Sequence, residues 1–457
     1  MEHKTVCRGS NSRLILIFAG WAMDWRPFAG LVRPGYDISV VWNYCDTDSF
    51  DWSWAVKYDE ICLVAWSLGV AAASSGLTAP IDRLITMRLA VNGTPCPVDD
   101  SLGIPRTIFE GTRDSLDRNN LLKFYRRVAG SRAAYDAFSS DLPQRALQEL
   151  AEELELFISG GMKTTLCRWD RAVVSDSDAI FPPANQKAAW ADVPTDIIVG
   201  AHLPDFQAVL DRYIIDKDLT ESRFHAGGKT YDSASTVQKA VVDRLLEMAD
   251  LSHCANAGTI IEVGSGTGYL SHKLDSFFVD ADIEMWDLAG TSPVDGARRS
   301  FRRGDAEILV REATDESADM VLSSSTIQWF NSPRRFLEHC SRILRPGGRL
   351  IISTFVDGNL EEIRKYTGRS LPLMTERQWL QSVPENMAVE VSETEEIRLE
   401  FASPSDVFRH LKATGVNSLG RGGERKSLRR IMDSMEAAGN GVHTVTYRPI
   451  YLILSKK

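Results

Sequence analysis

The chain has 457 residues, of which 44% are hydrophobic and 25% charged, and its formal net charge is −10. This length is enough for two domains that each bury a core of their own. The acidic balance argues against general binding to nucleic-acid phosphates. The 7 cysteines are scattered without C-x-x-C spacing, which predicts neither a disulfide framework nor a structural zinc site.

The apolar runs of the chain are short. None approaches the roughly 20 residues that a membrane-spanning helix needs. The sequence does not open with the basic and then apolar segments that are typical of a secretory signal. We therefore expect a cytoplasmic protein that has no membrane partner and no nucleic-acid partner.

The first half of the chain contains two strand-sized apolar runs that lead into loops, Arg13–Phe18 and Glu60–Ala65. The second run enters the segment Trp66-Ser67-Leu68-Gly69 and then a helix of small residues. Two helical stretches follow, Ser115–Phe138 and Gln144–Leu156, and the first of them is charged and amphipathic. Strands that alternate with helices predict mainly parallel, doubly wound α/β sheets.

Ser67 stands in a small-x-Ser-x-Gly pattern, with Ala65 and Gly69 two residues to either side. Small residues at these positions permit the sharp strand-to-helix turn of a nucleophile elbow. We interpret Ser67 as a nucleophile, and an ordinary strand-to-helix turn is the alternative. An oxyanion hole needs two backbone N–H groups beside the serine. We expect one from Leu68 and the other from Trp21, whose ring should also wall the pocket.

A serine nucleophile needs a base, and residues 1–215 contain only two histidines, His3 and His202. His202 follows an apolar strand at its C-terminal end, where α/β folds place catalytic loops. His3 lies in a polar segment that we expect to be a terminal tail. The acid should lie between the nucleophile and the base in the sequence. Asp178 is our first choice and Asp176 the close alternative, unless both only decorate a turn.

These motifs resemble the small α/β-hydrolase esterases of biotin synthesis, which cleave the methyl ester of pimeloyl-[acyl-carrier protein]. The resemblance covers roughly residues 10–215 and implies a carboxylesterase domain. It is carried by Phe18-Ala19-Gly20-Trp21, Ala65-Trp66-Ser67-Leu68-Gly69, Asn92-Gly93-Thr94-Pro95, Ile180-Phe181-Pro182-Pro183 with Asn185-Gln186, and Ala201-His202.

Charge density rises at Asp211–Arg223, between two complete sets of motifs. We therefore place the first domain at residues 1–215 and the second at residues 216–457. A helix over Ser235–Ala249 should lead into the second sheet.

A glycine-rich turn follows the predicted strand Thr259–Val263. It has the pattern Glu262-x-Gly264-x-Gly266-x-Gly268 and opens a predicted helix. Glycines let the backbone approach a ligand closely, and the acidic residue suits a ligand that carries sulfonium and ammonium charges. Dinucleotide sites instead have G-x-G-x-x-G spacing, and a nicotinamide site is the alternative.

Two acidic residues further along the chain are candidates to bind the nucleoside part of the ligand. Asp287 ends the strand Ile283–Trp286, where a carboxylate accepts hydrogen bonds from ribose hydroxyls. Asp305 lies in Arg303-Gly304-Asp305-Ala306, where S-adenosylmethionine (SAM)-dependent enzymes contact the adenine amino group.

The loop Ser323–Trp329 follows another predicted strand and should face the reacting methyl group. Gln328 and Trp329 are candidates to shape the substrate site. The segment Arg345-Pro346-Gly347-Gly348-Arg349 predicts a turn ahead of the strand Leu350–Thr354. Each motif is weak by itself, but their order and spacing favour a SAM-dependent methyltransferase.

Over about residues 220–455 the chain resembles the class I malonyl-[acyl-carrier protein] O-methyltransferases of biotin synthesis. This resemblance implies a Rossmann-like fold, SAM as methyl donor, no metal, and a role for Tyr231 in closing over the cofactor, with a core aromatic as the alternative. It is carried, besides the glycine turn, by Phe224–Gln238 with Tyr231-Asp232, Ile327-Gln328-Trp329, Gly358-Asn359-Leu360, His410-Leu411-Lys412 and Gly415-Val416-Asn417.

The two resemblances together predict a bifunctional enzyme whose partner is acyl carrier protein. It methylates malonyl-carrier protein and later hydrolyses the methyl ester of pimeloyl-carrier protein. We expect an apolar acyl slot in the first domain, because each extra buried methylene of pimeloyl is worth about 0.8 kcal/mol.

Carrier proteins are acidic, so docking on this acidic chain needs a local basic surface. The candidates are Lys123, Arg126, Arg127 and Arg132, with a merely solvated face as the alternative.

Two other functions remain open. One is a small-molecule carboxylesterase fused to a secondary-metabolite methyltransferase, and the other is a first domain that only positions the carrier protein.

Overall fold

The structure is a computed structural model that describes residues 1–10, 12–47, 49–75, 77–162, 168–254, 256–414, 425–438 and 441–457. The resemblance at Gly415-Val416-Asn417 lies outside these residues. The chain divides into two compact units, Met1–Ile214 and Ile215–Lys457, which are called the first and second unit below. Within the described ranges, no helix is both long enough and apolar enough to cross a membrane.

Seven strands form one sheet in the first unit. They are β1 (Glu2–Cys7), β2 (Arg13–Phe18), β3 (Asp37–Trp42), β4 (Glu60–Trp66), β5 (Ile85–Val91), β6 (Arg171–Ser175) and β7 (Thr195–Ile198). Their order is β1-β3-β2-β4-β5-β6-β7. β1 runs antiparallel to β3, and the other neighbours are parallel. All residues of β4 are buried, as expected of a parallel strand covered on both faces.

Seven α-helices accompany this sheet in the described residues. They are α1 (Leu68–Ala73), α2 (Arg106–Asp114), α3 (Arg118–Ala129), α4 (Arg132–Phe138), α5 (Leu147–Ile158), α6 (Pro183–Ala189) and α7 (Phe206–Tyr213). Helices α2 to α5 lie between β5 and β6 in the chain and are called the cap. The cap is tied to the loops at the carboxyl ends of the strands, because Tyr125 Oη donates to the carbonyl of Ala22 at 3.0 Å.

Two predictions for the first unit are wrong. Ser115–Phe138 does not form one helix, because Gly130 ends α3 in the left-handed region at φ 73° and the Ser131 hydroxyl caps the start of α4. His3 does not lie in a tail. It belongs to the edge strand β1 and stacks on Trp54 with the ring centroids 4.2 Å apart.

The second unit contains a seven-stranded sheet and a two-stranded sheet. The strands are β8 (Thr259–Val263), β9 (Asp282–Asp287), β10 (Arg299–Arg303), β11 (Ala318–Ser324), β12 (Leu344–Phe355), β13 (Met387–Thr394), β14 (Ile397–Phe401), β15 (His443–Tyr447) and β16 (Pro449–Lys456). The large sheet has the order β10-β9-β8-β11-β12-β16-β13, and β14 pairs with β15. β16 runs antiparallel to both of its neighbours.

Nine α-helices belong to the described part of the second unit. They are α8 (Lys217–Ala234), α9 (Thr236–Ala249), α10 (Tyr269–Phe277), α11 (Ala306–Glu312), α12 (Pro333–Ile343), α13 (Glu361–Thr367), α14 (Glu376–Gln381), α15 (Pro404–Ala413) and α16 (Arg425–Ala438). Alternate residues of the central strands pack into separate cores on the two faces of the sheet, as Ile260 and Ile261 do. The predicted α/β class is therefore confirmed.

The boundary segment Asp211–Arg223 is largely helical, because α7 ends within it and Asp216 caps the start of α8. One local expectation in the second unit needs correction. Arg345–Arg349 is not a turn ahead of a strand. It lies within β12, where the register with β11 shifts between Ala318 and Met320 and Gly347 adopts φ 77°.

Candidate active sites

Ser67 occupies a strained turn between β4 and α1. Its φ of 59° and ψ of −129° are rare for a residue that has a side chain. Tight packing holds this conformation: a Cβ on Gly69 would lie 2.3 Å from the carbonyl oxygen of Phe18. A Cβ on Gly93 would lie equally close to the carbonyl oxygen of Ser67. The small residues around the serine therefore let the chain bend and present its hydroxyl group.

The structure brings Ser67, His202 and Asp178 together. His202 Nε2 lies 2.9 Å from Ser67 Oγ, and His202 Nδ1 lies 2.9 Å from Asp178 Oδ2. The three residues are only 4%, 1% and 6% exposed. A serine hydroxyl, an imidazole and a carboxylate in this order can act as nucleophile, base and orienting acid.

Asp176 lies away from this chain of hydrogen bonds. It is exposed to solvent and accepts hydrogen bonds from the Gly200 amide at 3.1 Å and from the Ser177 hydroxyl at 3.0 Å. The Gly200 amide is the largest influence that holds the pKa of Asp176 below its usual range. Of the two candidate acids, the geometry therefore places only Asp178 against His202.

The loop that carries His202 is fixed through its backbone. The Trp66 indole and the Asn92 side-chain amide each donate to the carbonyl of His202 at 2.9 Å. Asn92 also accepts a hydrogen bond from the Ser175 amide at 2.7 Å. The Phe181 ring stacks on the imidazole with the centroids 6.0 Å apart. These contacts limit movement of the imidazole relative to the serine.

Asp178 is oriented by partners that sequence reasoning did not assign. Its Oδ1 accepts hydrogen bonds from the amides of Ile180 and Phe181 at 2.8 and 2.9 Å. The fully buried Gln186 donates to Asp178 Oδ2 at 3.0 Å and to the Phe181 carbonyl at 2.8 Å. Gln186 belongs to a motif of the esterase resemblance, but nothing in the pattern distinguishes it from a surface glutamine.

The loop after β2 lies against the nucleophile, since a Cβ on Gly20 would come within 2.9 Å of Ser67 Cβ. Trp21 follows in this loop, and Leu68 begins α1. The Trp21 indole is buried and donates to the carbonyl of Leu150 in the cap at 2.9 Å. Its ring packs edge-on against Phe124 of α3. The Trp21 ring therefore joins this loop to the cap.

The four candidate docking residues are exposed on the cap, but on two helices. Lys123, Arg126 and Arg127 belong to α3, and Arg132 begins α4. The Arg126 guanidinium lies 5.2 Å from the centroid of the Tyr135 ring. The pair between Arg132 and Asp136, at 3.8 Å, is solvent-exposed and holds little energy.

In the second unit, the glycine turn borders a cavity of about 250 Å³. Gly264, Gly266 and Gly268 all have positive φ. A Cβ on Gly264 would lie 2.0 Å from the Thr326 hydroxyl, whereas a Cβ on Gly266 would point into open space. Gly266 therefore leaves room for a ligand against the backbone, and Asp287, Asp305 and Trp329 also line this cavity.

Glu262 is completely buried beside a neighbouring cavity that Gly264, Gly266 and Tyr231 also line. Neither of its oxygens meets full hydrogen-bond geometry with a donor among the described residues. Burial raises the pKa of Glu262 to about 7, which the nearby Ser271 hydroxyl opposes and the charge of Asp287 reinforces. A buried carboxylate without a partner fits a ligand that brings a positive charge.

Asp287 ends β9 beside the glycine turn. Its two oxygens accept hydrogen bonds from the amides of Gly266 and Ala289, each at 2.8 Å. Burial is the main influence and raises the pKa of Asp287, although backbone amides oppose it.

Asp305 caps the start of α11 and lies in an ionic cluster that the sequence did not indicate. Lys217 Nζ is 3.0 Å from Asp305 Oδ2 and 2.7 Å from Glu307 Oε2. Lys217 comes from the boundary segment, so only the packing of α8 places it here. This cluster fixes the orientation of Asp305 at the cavity wall.

Tyr231, Gln328 and Trp329 each line a cavity of the second unit. Tyr231 lines the cavities beside both Glu262 and Asp287. Gln328 accepts a hydrogen bond from the Thr354 hydroxyl at 3.0 Å. Trp329 packs edge-on against Phe224 with the ring centroids 5.7 Å apart.

In the described part of the chain, no group of three or more His, Cys, Asp or Glu side chains is placed to hold a metal ion.

Comparisons with known proteins divide the chain in the same way. Residues 1–207 match the family described as pimeloyl-ACP methyl esterase BioG, and residues 261–352 match a methyltransferase-domain family. A malonyl-[acyl-carrier protein] O-methyltransferase of Bacteroides fragilis is 33% identical over 468 residues, covering 99% of this chain and 94% of that protein.

Two further relatives each match about half of the chain. A malonyl-[acyl-carrier protein] O-methyltransferase of Chlorobium phaeovibrioides is 33% identical over 259 residues, covering 53% of this chain and 97% of that protein. The crystal structure of BioG from Haemophilus influenzae is 36% identical, with a TM-score of 0.40, and covers 44% of this chain and 94% of that one.

Proposed function

We propose how the two sites of this chain divide its chemistry. The chain belongs to the family of malonyl-[acyl-carrier protein] O-methyltransferases and carries a pimeloyl-ACP methyl esterase domain ahead of its methyltransferase domain. The chain is a bifunctional esterase and methyltransferase of biotin synthesis, and its substrates are carried by acyl carrier protein. Residues 216–457 methylate malonyl-carrier protein. Residues 1–215 hydrolyse the methyl ester of pimeloyl-carrier protein.

The first unit is proposed to be an α/β-hydrolase. A mainly parallel sheet supports this proposal, with a serine elbow after β4, an acid after β6 and a histidine after β7. The chain order Ser67, Asp178, His202 is the order that this fold uses. The strongest support is the pair of 2.9 Å contacts that link these three side chains.

Hydrolysis of the ester follows from this arrangement. Ser67 Oγ attacks the ester carbonyl carbon while His202 Nε2 takes the hydroxyl proton, and Asp178 holds the imidazole through Nδ1. The imidazolium then gives that proton to the departing methoxide, which leaves as methanol. Water, activated by the same histidine, cleaves the acyl-enzyme to release the free carboxylate and restore the serine.

The negative charge that develops on the carbonyl oxygen needs donors fixed in advance. The amide of Leu68, at the start of α1, is proposed as one donor. The amide of Trp21, in the loop packed against Ser67, is proposed as the other. The hydrogen bond from the Trp21 indole to the cap supports this role, because it holds the loop in place.

The second site needs no base, because the malonyl carboxylate is already ionised near pH 7. When bound, SAM supplies an electrophilic methyl group. Glu262 would hold its ammonium group, Asp287 its ribose hydroxyls and Asp305 its adenine amino group. Tyr231 and Trp329 would exclude water and align the carboxylate with the methyl group.

Carrier-protein docking at the first unit is proposed for Lys123, Arg126, Arg127 and Arg132. Their exposure and shared sign support it, since an acidic partner is attracted to such a patch. An apolar acyl slot is also proposed for this unit, and it would prefer pimeloyl over malonyl, so that the newly made short ester survives. Equal cleavage rates for the two methyl esters on carrier protein would contradict this preference.

Complementation of biotin auxotrophs tests the whole proposal. The full chain is expressed in one strain that lacks the malonyl-carrier methyltransferase and in another that lacks the pimeloyl-ester esterase. Growth of both without biotin is expected. Rescue of neither strain by a soluble, expressed chain would contradict the proposal and favour a small-molecule esterase or methyltransferase.

A further inference from the structure

A third cavity of the second unit lies beside Trp329. Trp329 also lines the cavity at Gly266, Asp287 and Asp305, which is proposed to hold SAM and is called the cofactor cavity below. Gln328 and Tyr447 line the third cavity. Tyr447 is buried, and its hydroxyl lies 2.8 Å from His410 Nε2. Trp329 therefore lies between this cavity and the cofactor cavity.

Basic residues occupy the helices around this cavity. Ile363 of α13, Tyr447 of β15 and Arg369 line the cavity itself, and α16 contacts both α13 and α15. Five exposed cations on these elements form what we call the basic face: Lys365, Arg369, Lys412, Arg429 and Arg430.

The positive charge at the N-terminal end of α16 does not stabilise the helix. A helix N-terminus favours acidic residues, because the helix dipole places positive charge there. The first six residues of α16 nevertheless read Arg-Lys-Ser-Leu-Arg-Arg, and its first turn contains no acidic residue. Lys365 and Lys412 lie near helix C-termini, where cations are ordinary, so α16 is the informative element.

Acidic side chains on the same helices are paired or displaced from this end. Glu361 pairs with Arg364 at 2.7 Å, and Asp406 pairs with Arg409. The acidic residues of α16, Asp433 and Glu436, lie in its second half. Glu362 of α13 instead accepts a hydrogen bond from the Thr446 amide at 3.2 Å. In the described residues, these acidic side chains therefore form no ion pair with Arg429 or Arg430.

One apolar side chain interrupts the cations. Leu428 is 39% exposed and immediately precedes Arg429 and Arg430. Protein interfaces commonly have an apolar centre that is surrounded by polar and charged residues. The partner that fits such a surface is an acidic protein that also offers an apolar contact.

We infer that the basic face is the surface on which the acidic carrier protein docks to present its acyl thioester to the methyltransferase site. This inference rests on the proposed function of the second unit. It assigns a docking surface that is separate from the cap residues proposed for the esterase. The acyl group would then approach through the cavity beside Trp329.

Charge reversal in the full chain tests the surface. Arg429→Glu and Arg430→Glu are made singly, with Arg298→Glu as the matched control. Arg298 is 56% exposed and lies just before β10, at the amino edge of the parallel strands and so opposite the cofactor site. Methyl transfer is measured with malonyl-carrier protein and with malonyl-pantetheine, which lacks the protein partner.

Each reversal on α16 should raise KM for malonyl-carrier protein about tenfold, with kcat and the malonyl-pantetheine kinetics nearly unchanged. The control should change neither substrate. Equal effects on both substrates, or no effect on either, would overturn the docking surface. A wild-type chain inactive on malonyl-carrier protein would instead refute the proposed function. Binding of labelled, unacylated carrier protein to the wild type and the variants would still test the surface in that case.

Discussion

The two sites of this chain hold their buried polar groups in opposite ways. In the first unit, Ser67, His202 and Asp178 bond to one another, and Gln186 supplies a further donor to the acid. In the second unit, neither oxygen of the buried Glu262 meets full hydrogen-bond geometry with a donor among the described residues. One site is assembled by its own side chains, and the other leaves a charged group for a ligand to satisfy.

This difference follows from the chemistry of each reaction. An ester hydrolase must generate its nucleophile, so the hydroxyl and its base have to be in contact before the substrate arrives. A methyltransferase that acts on a carboxylate has its nucleophile in the substrate, so its residues mainly bind and align two ligands. Polar groups that await a cationic ligand are costly in the free protein. Without its ligand, the stability of the second unit should therefore depend more strongly on pH than that of the first unit.

Replacement of Ser67 by alanine should separate the two sites completely. Ester hydrolysis should fall on the order of 10⁵-fold or more, because no other group supplies the attacking oxygen. Methylation of malonyl-carrier protein by the same variant should be unchanged, which shows that the chain still folds. The assay is the release of methanol from pimeloyl-carrier methyl ester. Residual hydrolysis near the wild-type rate would mean that the first unit only positions its partner.

Asp178→Asn, paired with Asp176→Asn, should show which carboxylate belongs to the assembled site. The Asp178 change should lower kcat for ester hydrolysis by about 10⁴-fold, because the amide favours the wrong histidine tautomer. The Asp176 change should alter kcat by less than about threefold, as expected of a surface substitution. Both variants are followed by the same methanol assay. Equal losses from the two changes would mean that the contact between Asp178 and His202 does not decide which carboxylate is the acid.

Glu262→Gln should weaken SAM binding roughly 10- to 100-fold, because it removes a charged acceptor for the ammonium group. Isothermal titration of the full chain measures this affinity, and ester hydrolysis serves as the control for folding. The same change should raise the thermal stability of the free chain at pH 8, where wild-type Glu262 carries an unpartnered charge. Lower stability together with unchanged affinity would assign Glu262 a purely structural role.

The pKa of Glu262, raised to about 7 by burial, also predicts a pH dependence. Below pH 7 the carboxyl group binds a proton that the ligand must displace, so SAM affinity should fall up to about tenfold per pH unit. Above pH 8 the affinity should level off. The folded pKa exceeds the unfolded value, so the contribution of Glu262 to stability of the free protein is present below about pH 4.5 and lost as the pH rises through 7.

Replacement of Arg126 and Arg127 by glutamate should give the smallest effect, because both are exposed to solvent. KM for pimeloyl-carrier methyl ester should rise by roughly three- to tenfold, and KM for a soluble methyl ester should stay constant. Methylation of malonyl-carrier protein should not change, because that reaction is proposed to use the basic face. A matching rise in KM for malonyl-carrier protein would mean that one surface serves both sites.

Local sequence patterns determined the sharp turns and the fold class of this protein. Small residues around Ser67 and the glycines after Glu262 dictate sharp turns, because their effect depends only on near neighbours along the chain. Apolar strands that alternate with helices fixed the α/β class for the same reason. Gly130, which splits one predicted helix into two, could also have been read from the sequence as a helix C-cap.

Only the tertiary structure decided which distant side chains meet. The sequence favoured Asp178 but left Asp176 as a close alternative, and the fold of the loop after β6 turns only Asp178 toward His202. Gln186 and Lys217 gained their contacts with Asp178 and Asp305 through the packing of helices. Side-chain contacts across a sheet depend on strand order and helix placement, which no spacing along the chain specifies.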